Sequence, residues 1–150
     1  QIYYFITTFW GWYLWSGLYK NNSLEKAELP VTIYSLKQNL FVVGLILGLT
    51  QLLSSLMGNI HLLLPTLFPV AASFVWVDSF TTVVSFVATI YLAKRKFENW
   101  HMWILVDIIG IWLYYQKGVA FLSLLYFAFL LNAIKGFIEW KQLLKANEKI

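Results

Sequence analysis

Residues 39–58, NLFVVGLILGLTQLLSSLMG, run through twenty positions without one Asp, Glu, Lys or Arg. At about 1.5 Å per helical residue, such a run matches the roughly 30 Å hydrocarbon core of a bilayer. In lipid the backbone has to satisfy its own N–H and C=O groups, so the segment folds as a helix. The rest of the chain is alike: 60% of its 150 residues are hydrophobic and only 12% are charged. A soluble domain of this size carries more surface charge than that. The sequence is therefore that of an integral membrane protein, all-α, folded as a polytopic helix bundle.

The sequence predicts five hydrophobic elements: roughly residues 1–19, 39–58, 72–93, 99–116, and one from Val119 to near Trp140. The first two are separated by a polar stretch, KNNSLEKAELPVTIYSLKQ, expected to lie along the membrane surface. Gly44 and Gly48 stand four apart in the second element, a spacing that lets helices approach closely. Thr50, Gln51, Ser54 and Ser55 place a polar stripe on it, so one face should avoid lipid. Pro65 and Pro69 argue against a continuous helix through 59–71, which is expected to form a re-entrant or extended loop. Lys117-Gly118 ends the fourth element.

The net charge of +4 does not point to nucleic acid, because the cations sit between hydrophobic runs, where they set orientation. Lys20, Lys26 and Lys37, then Lys94, Arg95 and Lys96, then Lys141, Lys145 and Lys149 occupy alternate connections. By the positive-inside rule these segments, the C-terminus included, are expected in the cytoplasm. The chain opens on Gln1 and runs straight into spanning-type sequence with no signal-peptide pattern, so it is expected to begin partway into a longer protein.

The first and last elements share a pattern: Gly11-Trp12-Tyr13-Leu14-Trp15 and Gly136-Phe137-Ile138-Glu139-Trp140. Each places an aromatic residue after glycine and tryptophan four positions on. Four crossings separate them, so they run in the same direction, as a parallel repeat joined by one linking helix requires.

On a helix, Trp100, Trp103 and Asp107 fall at i, i+3 and i+7, one stripe, with Asn99 about a quarter turn aside. A carboxylate within a span marks a substrate or ion path more often than not. The competing reading is that Asp107 only pairs with Lys117 or hydrogen-bonds inside the bundle, and that the tryptophans belong to an interfacial belt. Two indoles flanked by Asn and Asp suit a flat aromatic cation, each π-face contributing about 0.5–2 kcal/mol. Asp78 opens DSFTT, with Thr81, Thr82 and Ser85 following. Here a pocket role competes with a helix cap whose hydroxyls bond back to their own helix. Catalysis finds no support: His61 and His101 are isolated, there is no cysteine, and no glycine-rich phosphate loop is present. Neither a cofactor nor a metal is expected.

The run DSFTTVVSFVATIYLAKRKFENWHMWILVDIIGIWLYYQKG, followed by LLYFAFLLNAIKGFIEW, resembles the PnuC family of bacterial vitamin transporters, best known for nicotinamide riboside. QIYYFITTFWGWYLW resembles the helix that closes the family's first bundle. The resemblance implies a SWEET-like fold of parallel triple-helix units in a three-one-three arrangement, here lacking its first two helices. Residues 1–19 would be the last helix of the first unit, 20–58 the cytoplasmic linker and linking helix, and 59–150 the second unit with its tail. It further implies facilitated diffusion across the bacterial inner membrane without ATP, a cytoplasmic kinase then trapping the vitamin. By position, Asn99, Trp100, Trp103 and Asp107 would line the site, with Gln1, Trp12, Thr81 and Thr82 as weaker candidates. Thiamine, also a flat cation, fits the same chemistry, and a structural membrane subunit is the alternative of a different class. Membrane lipid is the expected surroundings, and a homo-oligomer is compatible with all of this.

Overall fold

The computed structural model describes residues 2–15, 30–63, 66 and 73–147. Among them the chain is helical apart from turns, a short extended stretch and one isolated bridge. The helices are α1 (Ile2–Trp15), α2 (Leu36–Gly58), the single turn α3 (Ile60–Leu63), α4 (Val75–Ala93), α5 (Asn99–Gln116) and α6 (Ala120–Asn147). Three segments are long and apolar enough to cross a membrane: Leu36–Leu62, Val75–Ala93 and Ala120–Ala146. The expected fourth span falls short of that measure, and the expected first runs beyond the described residues. Only 14 residues of α1 are described, and α5, although 18 residues long, is diluted by Asn99, His101, Asp107 and Gln116. Large apolar side chains stand exposed along α1, α2 and α6, where acyl chains rather than water would solvate them. The chain divides into two compact units, Ser35–Ser85 and the remainder, Gln1–Tyr34 with Phe86–Ile150.

In the Ser35–Ser85 unit, Ser35 caps α2 with a reciprocal box. Its hydroxyl accepts from the Gln38 N–H at 3.4 Å, and the Gln38 side-chain oxygen accepts from the Ser35 N–H at 2.9 Å. Two of the helix's orphan N–H groups are thereby satisfied, and α2 starts three residues before the expected boundary. Among the described residues, Gly44 and Gly48 do not mark a close helix contact, since a Cβ at either would meet nothing within 4 Å. Of the polar stripe, Thr50 is fully buried, whereas the Ser54 and Ser55 hydroxyls donate to the Gln51 carbonyl.

In the other unit, two helices end in the same way. After α4, Arg95 takes a left-handed conformation (φ 50°), its N–H bonding Leu92 O while the Lys96 N–H bonds Tyr91 O at 2.8 Å. After α5, Gly118 (φ 73°) repeats the arrangement with Tyr115 O, and Val119 with Tyr114 O. Both are Schellman caps. They fold α4 to α5 to α6 in tight succession, and Ser123 then donates to Ile111 O at 2.8 Å, tying the start of α6 to α5.

The turn between α4 and α5 is also clasped by the stretch 30–34. Thr32 pairs with Lys96 through Thr32 N–H to Arg95 O at 3.1 Å and Phe97 N–H to Thr32 O at 3.0 Å. The Lys96 ammonium donates to Thr32 Oγ1 at 2.8 Å and lies 4.1 Å from the Tyr34 ring centroid. The Tyr34 N–H donates to Glu98 Oε1 at 2.6 Å. Burial first, and the Glu98 carboxylate second, raise the Tyr34 phenol above its ordinary pKa. Glu98→Ala removes the acceptor of the Tyr34 N–H and is expected to lower stability by about 1–2 kcal/mol. Glu98→Gln keeps an oxygen there and should cost much less. Amide exchange at Tyr34 checks it: fast in Glu98→Ala, slow in Glu98→Gln.

Candidate functional site

The helix α5 brings Asn99, Trp100, Trp103 and Asp107 to one side of itself. Asn99, Val106, Asp107, Gly110 and Leu113 are buried along it, whereas His101, Leu105, Ile108, Trp112 and Tyr115 are exposed. Of the stripe read from the sequence, Asn99 and Asp107 are buried and Trp100 and Trp103 are half-buried. Asn99 is wholly buried, and its side-chain nitrogen donates to Lys96 O at 2.6 Å. That bond leaves the amide oxygen buried with no hydrogen-bond partner among the described residues, and the Trp100 indole nitrogen is in the same condition. An orphan acceptor and an orphan donor thus stand on adjacent residues, where burial without a partner costs about 1–3 kcal/mol each. Asp107, two turns further along, is 3% exposed.

The simple alternative of an ion pair between Asp107 and Lys117 fails on distance. Ten helical residues separate them, about 15 Å along one axis, and the Lys117 ammonium lies 5.7 Å from the Tyr114 ring centroid.

The indole of Trp100 is packed rather than free in a belt. It lies against Gly136 of α6 and meets Trp140 edge to face, ring centroids 5.3 Å apart. Beside it, Phe97, His101 and Phe137 form an aromatic cluster with centroids 5.0–5.3 Å apart. His101 is thereby a packing residue. Further along, the Tyr126 ring lies on Gly110 and stacks with Tyr114 at 5.2 Å. The sequence reading did not place Gly110 and Tyr126 near the site. A glycine inside a helix, which costs about 1 kcal/mol against alanine unless something needs the space, was the available signal.

Trp12 is 63% exposed on α1 and lines a cavity of about 280 Å³ with Thr7, Thr8, Gly11, Thr89, Leu92 and Ala93, none of them from α5. The Thr81 hydroxyl donates to Val77 O and Asp78 O, and the Thr82 hydroxyl donates to Asp78 O at 2.7 Å. These are the back-bonds of the competing reading, and Asp78 sits in the first turn of α4, where the helix dipole favours a carboxylate. Gln1 lies outside the described residues.

Among the described residues, three helical segments long and apolar enough to cross a membrane, with a polar stripe on a further helix, α5, define a multi-pass helical membrane protein. Over residues 1–142 the sequence matches the nicotinamide mononucleotide transporter family, and the chain belongs to it. It is 27% identical to the nicotinamide riboside transporter PnuC of Escherichia coli, over 93% of this chain and 64% of that protein. It is 30% identical to the transporter of the same name from Neisseria mucosa, over 82% of this chain and 45% of that one. The crystal structure of the vitamin B3 transporter PnuC superposes with a TM-score of 0.66 at 26% identity, covering 95% of this chain and 60% of that one. The chain thus spans less than two thirds of the length of these relatives, and the family is one of transporters rather than enzymes.

Proposed function

We propose that this chain forms part of a carrier that moves nicotinamide riboside across the bacterial inner membrane by alternating access, without ATP. The observation that carries the reading is the stripe on α5, which joins a buried carboxylate, a buried amide with a free acceptor and two half-buried indoles. The substrate's pyridinium supplies a flat cation for the indoles and Asp107, and its carboxamide and ribose hydroxyls supply partners for Asn99. Relatives bearing the name nicotinamide riboside transporter support this substrate.

In this reading α1 closes one triple-helix unit, α2 links, and α4–α6 form the other, with the Lys-rich C-terminus cytoplasmic. Rocking of the units exposes the site to either side in turn, and a cytoplasmic kinase would trap the product. Calorimetry on the purified protein tests it. Nicotinamide riboside should bind saturably and more tightly than thiamine, and Trp103→Ala should weaken binding about tenfold, the sum of a cation–π contact and lost stacking. Absence of saturable binding by any vitamin cation would leave a structural subunit as the answer.

A further inference from the structure

Gly136 had no assigned role beyond its place in the repeat of glycine, aromatic residue and tryptophan. In the structure it meets the outer edge of the Trp100 indole. A Cβ built there would stand 2.3, 2.4 and 2.5 Å from Trp100 Cη2, Cζ2 and Cζ3, all atoms of the six-membered ring. No flexible chain end fills that space; a rigid ring does, pressed against the backbone of α6. Trp140, one turn on, closes a second side at 90° and 5.3 Å, and the Arg95 guanidinium sits 5.9 Å from the Trp140 ring centroid. The matching glycine of the repeat, Gly11, is different: its Cβ would meet the methyl group of Ala93 at 3.4 Å. Among the described residues, the repeat in α6 forms a seat for an indole.

We propose that Gly136 is a positioning residue for substrate recognition, forming with Trp140 the seat that fixes the Trp100 ring within the α5 site. The inference rests on the reading of that stripe as the binding site. An indole held before the ligand arrives does not have to be ordered on binding, an effect worth severalfold in affinity for one side chain. The seat also blocks movement of the ring toward α6, so the ligand meets one fixed surface of Trp100. In α6, on this account, the glycine admits the ring and the tryptophan four residues later braces it.

A double-mutant cycle tests the proposal with calorimetry of nicotinamide riboside. Gly136→Ala should weaken binding about fivefold. In a Trp100→Phe background, where the atoms filling the seat are gone, Gly136→Ala should add nothing. An equal penalty in both backgrounds, or none in the wild type, overturns the inference. A second readout needs no ligand: with 5-fluorotryptophan incorporated, the ¹⁹F resonance that disappears in Trp100→Phe should shift in Gly136→Ala, and an unmoved resonance also overturns it. Should Gly136→Ala fail to fold, Trp140→Leu removes the second wall without adding an atom at the backbone and is judged by the same shift and the same affinity loss. If the wild type binds no nicotinamide riboside, the functional reading fails and takes this inference with it. If it binds and the cycle shows no coupling, only the inference fails.

Discussion

Asp107→Asn should weaken nicotinamide riboside binding about a hundredfold while leaving the affinity for uncharged nicotinamide within about threefold. The substitution keeps the shape of a side chain that is 3% exposed and removes only its charge. A carboxylate about 5 Å from a pyridinium, at an effective dielectric near 20, contributes roughly 3 kcal/mol, and every 1.4 kcal/mol is about tenfold. The same change removes a buried carboxyl whose charged form is expensive to desolvate, so the thermal midpoint of the unliganded protein should hold or rise. Titration calorimetry with both ligands, together with thermal unfolding in detergent, reads all three quantities. Equal losses for the cation and the neutral ring, with a fall in the midpoint, would make Asp107 a structural residue and remove the charge from the recognition argument.

The stripe was legible because helical spacing is fixed: once 99–116 is a helix, positions 100, 103 and 107 share a side whatever surrounds them, and α5 has the expected bounds. The breaks were legible for the same local reason, since Lys117-Gly118 is a Schellman terminus written in sequence. Boundaries set by polar chemistry were read less well. The Ser35–Gln38 box starts α2 inside the supposed linker, and α6 runs on through KQLLKAN, good helix formers, to Asn147. What the sequence withheld was which glycine faces which ring. Among the described residues, Gly44 and Gly48 have the spacing of a close contact and make none, whereas Gly110 and Gly136, alone in their helices, each lie against a ring of the neighbouring helix. Spacing along one helix says nothing about what lies on its neighbour, and that information comes only with the pairing.

Substitution at Gly110 should therefore be the most damaging single change to stability. A Cβ there would lie 2.3 Å from Tyr126 Cδ1, 2.6 Å from Cε1 and 2.8 Å from Cγ, contacts that real side chains do not make. The Tyr126 ring has little freedom to retreat, because Tyr114 stacks on it at 5.2 Å and Phe129 meets its edge at 6.0 Å. Overpacking of this kind costs about 1–3 kcal/mol, against a helix-propensity gain of at most about 1 kcal/mol for alanine. Gly110→Ala should lower the thermal midpoint by several degrees, and Gly110→Val, larger and β-branched, should lower it further or abolish folding. Gly44→Ala and Gly48→Ala, with open space around them, provide the contrast and should be neutral or slightly stabilising. Tyr126→Leu in the Gly110→Ala background should recover part of the loss by vacating the contested volume. If Gly110→Ala unfolds no earlier than Gly44→Ala, then α5 and α6 are not as close as this packing requires. The seat for Trp100, built from the same two helices, would be lost with it.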